Sequence, residues 1–397
     1  MRPWFHRLLQ ADIPADFKDN LPAFLKQEAR AFSDSSPMPL TPQERAVANQ
    51  WYFSSVGQEQ LEALLDATWR QMESVAEWAM PAHDARHAMF KAPASSLLYL
   101  NSENVQDAGR LGIFGALLHD HGRWAEERIF GGPGESMIHA RLSFLLAREL
   151  VTEFQLPDAA ARLVMHAVVQ HTAGASAEDE MAVKLTVSAD RDQLYGPEII
   201  IRLFHHIVDQ DTLSMSSVYG EKPGLSLLDR LGHFMFNRIP GPLFSRDAHV
   251  HKLQNILTTF ILMAEPEELS RARFARRPMP TASRRGLPDD FDWASAWQTA
   301  QSALPYANDP EAALRTLLSA PNIVSAPIYL DDAVHKLSAL PAEHRERLAG
   351  ALSWAHAQRV ALDAQEAAAL RQLAVAYERD RPVAALIDRL RRLGYAT

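Results

Sequence analysis

An apolar run that ends in three titratable side chains constrains this chain more than any other feature of its sequence. In LGIFGALLHDHGRW, residues 111 to 124, the apolar positions are continuous enough to be buried as a helix, and they run straight into His119, Asp120 and His121. A buried imidazole or carboxylate without a partner costs several kcal/mol, so such groups pair with one another or hold a cation. Other stretches repeat the pattern. HDARHAMF puts His83 and His87 one helical turn apart, GESMIHARLSFLL sets His139 inside an apolar helix, RLVMHAVVQHTAG supplies His166 and His171, and VKLTVSADRDQL carries Asp190 after an apolar run. Histidine and aspartate are unusual in such places. Several of them on separate helices are most simply explained by convergence on one metal site in the middle of a bundle.

The rest of the chain agrees with a helical fold. Apolar residues recur three and four positions apart, as in Leu61, Leu64, Leu65 and Trp69, and strand-like runs are confined to short pieces such as NIVSAPIYL. The expected fold class is therefore all-α: an inner helical bundle with extra N-terminal helices and a C-terminal helical domain. Turn-forming stretches divide it into a helical lead-in over 1–80, a metal-binding domain over 81–264, a linker over 265–288 and a C-terminal helical domain over 289–397. The linker holds six arginines and four prolines, a composition that resists a packed core.

Composition limits the chemistry. With no cysteine among 397 residues, disulfides, thiolate ligands and a cysteine nucleophile are excluded, and any metal is held by nitrogen and oxygen. A net charge of -9 disfavours bulk nucleic-acid binding. No segment reaches the roughly 18 uninterrupted apolar residues of a membrane span, and acidic residues interrupt the N-terminal apolar stretch where a secretory signal would be continuous. The expected setting is cytoplasmic, with no membrane partner.

The order H, HD, H, H, D, closing on an ADRD sequence, resembles the HD-domain superfamily of metal-dependent phosphohydrolases over about residues 80 to 200. The resemblance implies that His87, His119, Asp120 and Asp190 bind one ion. In two-metal relatives the same aspartate bridges both ions, and the second would here be completed by His139 and one of His166 or His171. Residues five apart on a helix lie about 140° apart around its axis, so only one of that pair can face a single centre without distortion. His171, just before a glycine-containing break, stands where the family places its ligand, and His166 is kept as the substitute. Arg123, three residues past Asp120, stands where many relatives carry a lysine and would contact phosphate oxygens. His83, Asp84, Arg86, His121 and Arg191 are expected to be supporting or surface groups, and the pairs His205 with His206 and His249 with His251 match no part of the pattern.

What the resemblance implies is a metal-dependent phosphohydrolase or phosphodiesterase, with Asp120 and Arg123 as its catalytic groups. Its substrate would be a nucleotide or other small phosphoester, and its cofactor two divalent transition-metal ions from among iron, manganese, zinc, cobalt and nickel. The same ligand order also occurs in a mixed-valence di-iron oxygenase branch, so oxygenation is a rival expectation, and a non-catalytic nucleotide-binding regulator is a third. The acidic pair of ppGpp hydrolases and the GYP signature of the cyclic-di-GMP branch are both missing. The sequence leaves the oligomeric state open.

Overall fold

The structure is a computed structural model of the chain, and the residues it describes are 15–75, 87–130, 138–172, 175, 178–192, 364 and 367–395. All regular structure among them is helical, as the apolar spacing predicts. None of these helices is long and apolar enough to cross a membrane. His83, Asp84, Arg86, both unmatched histidine pairs, the Arg/Pro-rich linker and the three expected domain boundaries lie outside the described residues.

The chain divides into two compact units, one formed by 1–190 with 366–397 and one by 191–365. The elements below belong to the first, apart from the final two residues of α9. In chain order they are α1 (Ala15–Ser35), α2 (Pro42–Tyr52), α3 (Ser55–Val75), a π-helical turn (His87–Lys91) that continues into α4 (Ala92–Ser102), and a 3-10 turn (Ala108–Leu111) that leads into α5 (Gly112–Leu118). Then come α6 (His121–Phe130), α7 (Ile138–Glu153), α8 (Asp158–Gln170), α9 (Met181–Asp192) and α10 (Arg381–Leu390).

Helix α5 is the centre of the unit. Every residue from Gly112 to Leu118 is buried, which suits a short helix that is apolar all round. It packs against α4 and α8, and Gly115 lets α9 approach it closely. A Cβ at that position would stand 2.1 Å from Thr186 Oγ1 and 2.7 Å from Ala167 Cβ. The Thr186 hydroxyl donates to the Gly112 carbonyl at 3.0 Å across the same contact. Helices α6, α7 and α8 then pack in succession, with α1 on α7 and α2 on α8.

Local chemistry starts the helices where the sequence places its capping residues. Thr41 opens α2 with a capping box: its hydroxyl accepts from Glu44 N while the Glu44 carboxylate accepts from Thr41 N. Asp380 caps α10, ahead of a proline in the first turn. Residues 367–395, within the segment expected to form a C-terminal helical domain, belong to the same unit as 1–190. Helix α10 lies on α3 and α4. Buried Asp380 pairs with buried Arg110 at 2.6 Å and accepts from the Tyr52 hydroxyl at 3.1 Å.

Candidate metal centre

Helix ends, rather than helix middles, gather most of the site. His119 and Asp120 occupy the step between α5 and α6, His87 begins the π-helical turn before α4, His139 opens α7, His171 follows the last residue of α8, and Asp190 lies in the last turn of α9. These residues form two groups that share Asp120: His87, His119, Asp120 and Asp190 in one, and Asp120, His139 and His171 in the other. All are buried except Asp190, whose side chain is 15% exposed.

In the first group, His87 Nε2 lies 3.1 Å from His119 Nε2, and each of these nitrogens is 3.4 to 3.5 Å from Asp120 Oδ2 and 3.5 Å from Asp190 Oδ1. Donors at these spacings can lie about 2.1 Å from one shared point, the distance at which imidazole and carboxylate bind zinc. In the second group, His139 Nε2 and His171 Nε2 are 3.2 Å apart, and Asp120 Oδ1 is 3.7 and 3.8 Å from them. The two oxygens of one carboxylate thus face two different histidine pairs.

Backbone contacts fix which nitrogen each ring presents. His119 Nδ1 donates to the Ala116 carbonyl at 2.7 Å and His171 Nδ1 to the Val168 carbonyl at 2.6 Å, which turns both Nε2 atoms inward. The electrostatics match a cation. Burial alone disfavours charge on His119, but Asp120 and Asp190 outweigh it and push its pKa up to about 10. Burial also opposes charge on Asp190, yet hydrogen bonds from His119 and His87 hold its carboxyl well below the usual range. Burial and the neighbouring His119 bring His171 down to about 4, so it is a neutral imidazole, the form a metal ligand takes. The groups could hold a metal ion, and their oxygen and nitrogen donors fit one.

Of the two histidines left open by helical geometry, the structure brings His171 into the cluster and takes His166 elsewhere. His166 Nε2 donates to the Ser36 carbonyl at 2.7 Å and its ring packs 4.6 Å from Phe32, so it ties α8 to the end of α1. His121 also stays out of both groups. It packs against Trp124, and burial lowers its pKa to about 3. Arg123 lies beside the cluster, with Nε 3.5 Å from Asp120 Oδ1 and Nη1 bonded at 3.0 Å to buried Glu126.

Two supporting residues escaped sequence reasoning. Gly122 sits so close to α7 that a Cβ would lie 2.2 Å from the His139 carbonyl oxygen, and Gly122 N donates to Ser143 Oγ at 2.7 Å. This contact sets His139 against Asp120. The glycine directly after the HDH run was the signal, since no turn follows it to explain its presence. No protein-family profile, curated protein or solved structure matches the chain.

Proposed function

We propose that this chain is a metal-dependent phosphohydrolase of the HD kind, acting on a nucleotide or other small phosphoester through a metal-activated water. Asp120 carries the reading: its Oδ2 faces His87 and His119 while its Oδ1 faces His139 and His171, as a bridging carboxylate must. His87, His119, Asp120 and Asp190 would hold one ion and Asp120, His139 and His171 a second, drawn from iron, manganese, zinc, cobalt or nickel by their mixed imidazole and carboxylate donors. Ions held there supply Lewis acidity toward a phosphoryl oxygen and a water of lowered pKa.

The protein's own groups do the rest. With three protein donors against four, the group of Asp120, His139 and His171 would leave its ion more room to admit substrate. Arg123, held by Glu126 at the edge of the shared carboxylate, would meet a phosphate oxygen with its guanidinium. Burial of the donors keeps bulk water from weakening these interactions.

The test is elemental analysis of the purified full-length protein with His119→Ala and Asp120→Ala, together with a metal-supplemented phosphoester panel run while oxygen consumption is followed. Wild type should hold metal and release phosphate, and Asp120→Ala should lose metal from both groups. Equal, negligible metal in all three proteins after reconstitution would sink the proposal. Oxygen uptake without phosphate release would replace hydrolysis by di-iron oxygenation.

A further inference from the structure

A cavity of about 370 Å³ opens at the other end of α4 and α5, where residues 376–380 meet the α2–α3 turn and the α4–α5 connection. Its size falls in the range of small-molecule sites. No residue of its wall belongs to either group of the metal cluster. The two sites are separate.

The wall is built from flat groups and donors. The Arg110 guanidinium lies between two aromatic rings, 5.3 Å from the Phe53 centroid and 5.1 Å from that of Tyr377. Phe53 is 51% exposed at the rim; besides Arg110 its ring meets that of Tyr52, with centroids 5.0 Å apart at 75°. Gln106 Nε2 donates to Asn104 Oδ1 at 2.6 Å, and Gln106 Oε1 accepts from Arg110 Nη2 at 3.3 Å. Both carboxamide oxygens are therefore engaged, and the Asn104 side chain is exposed. Asn104 also has φ 49, a left-handed conformation that asparagine tolerates and that sets its side chain on this wall.

The one carboxylate of the wall is already engaged. The Asp380 oxygens accept from Tyr52, Arg110 and Val383 N. Among the described residues the Arg379 guanidinium and the Asn101 carboxamide have no side-chain partner. Donors and positive charge thus exceed acceptors around a half-exposed aromatic ring. Carboxamides with an aromatic face and an arginine are the groups that recognise an unpaired nucleobase and its phosphate.

We propose that this cavity binds a flat, acceptor-rich aromatic anion of nucleotide size, stacked on Phe53 with its anionic group at Arg379. Nucleoside monophosphates and simple aryl phosphates share that chemistry. The inference is independent of the metal centre, so the test is run on full-length protein in excess chelator. Adenosine 5′-monophosphate, uridine 5′-monophosphate, phenyl phosphate and inorganic phosphate are titrated by calorimetry against wild type, Phe53→Ala and Arg379→Gln. Wild type should bind at least one aromatic anion saturably in the millimolar range or tighter. Phe53→Ala should weaken that binding by at least about fivefold, as loss of a stacking platform does, and Arg379→Gln by about tenfold, as loss of a charged donor does. A preference for the nucleotides over phenyl phosphate assigns the base edge to the carboxamides, and equal binding assigns recognition to ring and charge alone. No saturable binding, binding equal to that of inorganic phosphate, or binding unchanged in both variants would overturn the proposal.

Discussion

Buried histidines give the protein a pH dependence that changes sign within the neutral range. Burial lowers His121 to about 3 and, with the His119 charge, His171 to about 4; His166 is lowered in the same direction, chiefly by burial. These rings refuse protons that the unfolded chain accepts, so stability is lost as pH falls from about 6.5 towards 4. His119 runs the other way. Its pKa is raised to about 10, so its contribution is fully present below about 6.5 and is lost as pH climbs through 10. Metal-free protein is expected to be most stable near pH 6.5. Urea midpoints in chelator at pH 5, 6.5 and 9 check this, and a higher midpoint at pH 5 than at 6.5 would contradict it.

At this scale most of the cluster was legible, because a histidine or aspartate on an apolar helix stands out against its neighbours. His119, Asp120, His139 and Asp190 all announce themselves in that way. What the sequence left open was the choice between His166 and His171, since both sit on one apolar helix and only the packing of α1 against α8 decides which turns inward. The position of Arg123 was readable but its buried tether was not. Glu126 lies three residues on in an ordinary helical stretch and looks like a surface charge.

Among the elements, two close approaches place the ligands. At Gly122 the nearest atoms are backbone, the His139 oxygen and Ser143 N at 2.2 and 2.6 Å, and backbone cannot swing aside as a side chain can. Gly122→Ala is therefore expected to push α7 from α6, costing about 1–3 kcal/mol and lowering metal content because His139 moves with its helix. Denaturant midpoints and elemental analysis check the two parts separately. An unchanged midpoint with full metal content would show that the contact does not position His139. The helices themselves were legible from apolar period and capping residues such as Thr41, whereas helix-to-helix distance was not, because it depends on which faces meet.

For the whole molecule, the informative element is α10. Alanine- and leucine-rich sequence around 367–390 reads as helix, but nothing in it says that Asp380 will find Arg110 and Tyr52. Partners far apart in sequence leave no periodic trace. Removing one member of a buried pair strands the other charge, so Asp380→Ala should cost about 3–5 kcal/mol. Chemical denaturation of the full chain measures it, and a loss below about 1 kcal/mol would mean that water already reaches Arg110.

That pairing also sets a clock on biosynthesis. Arg110 leaves the ribosome 270 residues before the carboxylate that neutralises it, an interval of roughly 14 to 54 s at about 5–20 residues per second. Throughout that time the carboxylate that Arg110 meets in the folded unit does not yet exist, so this buried pair closes only once α10 has been made.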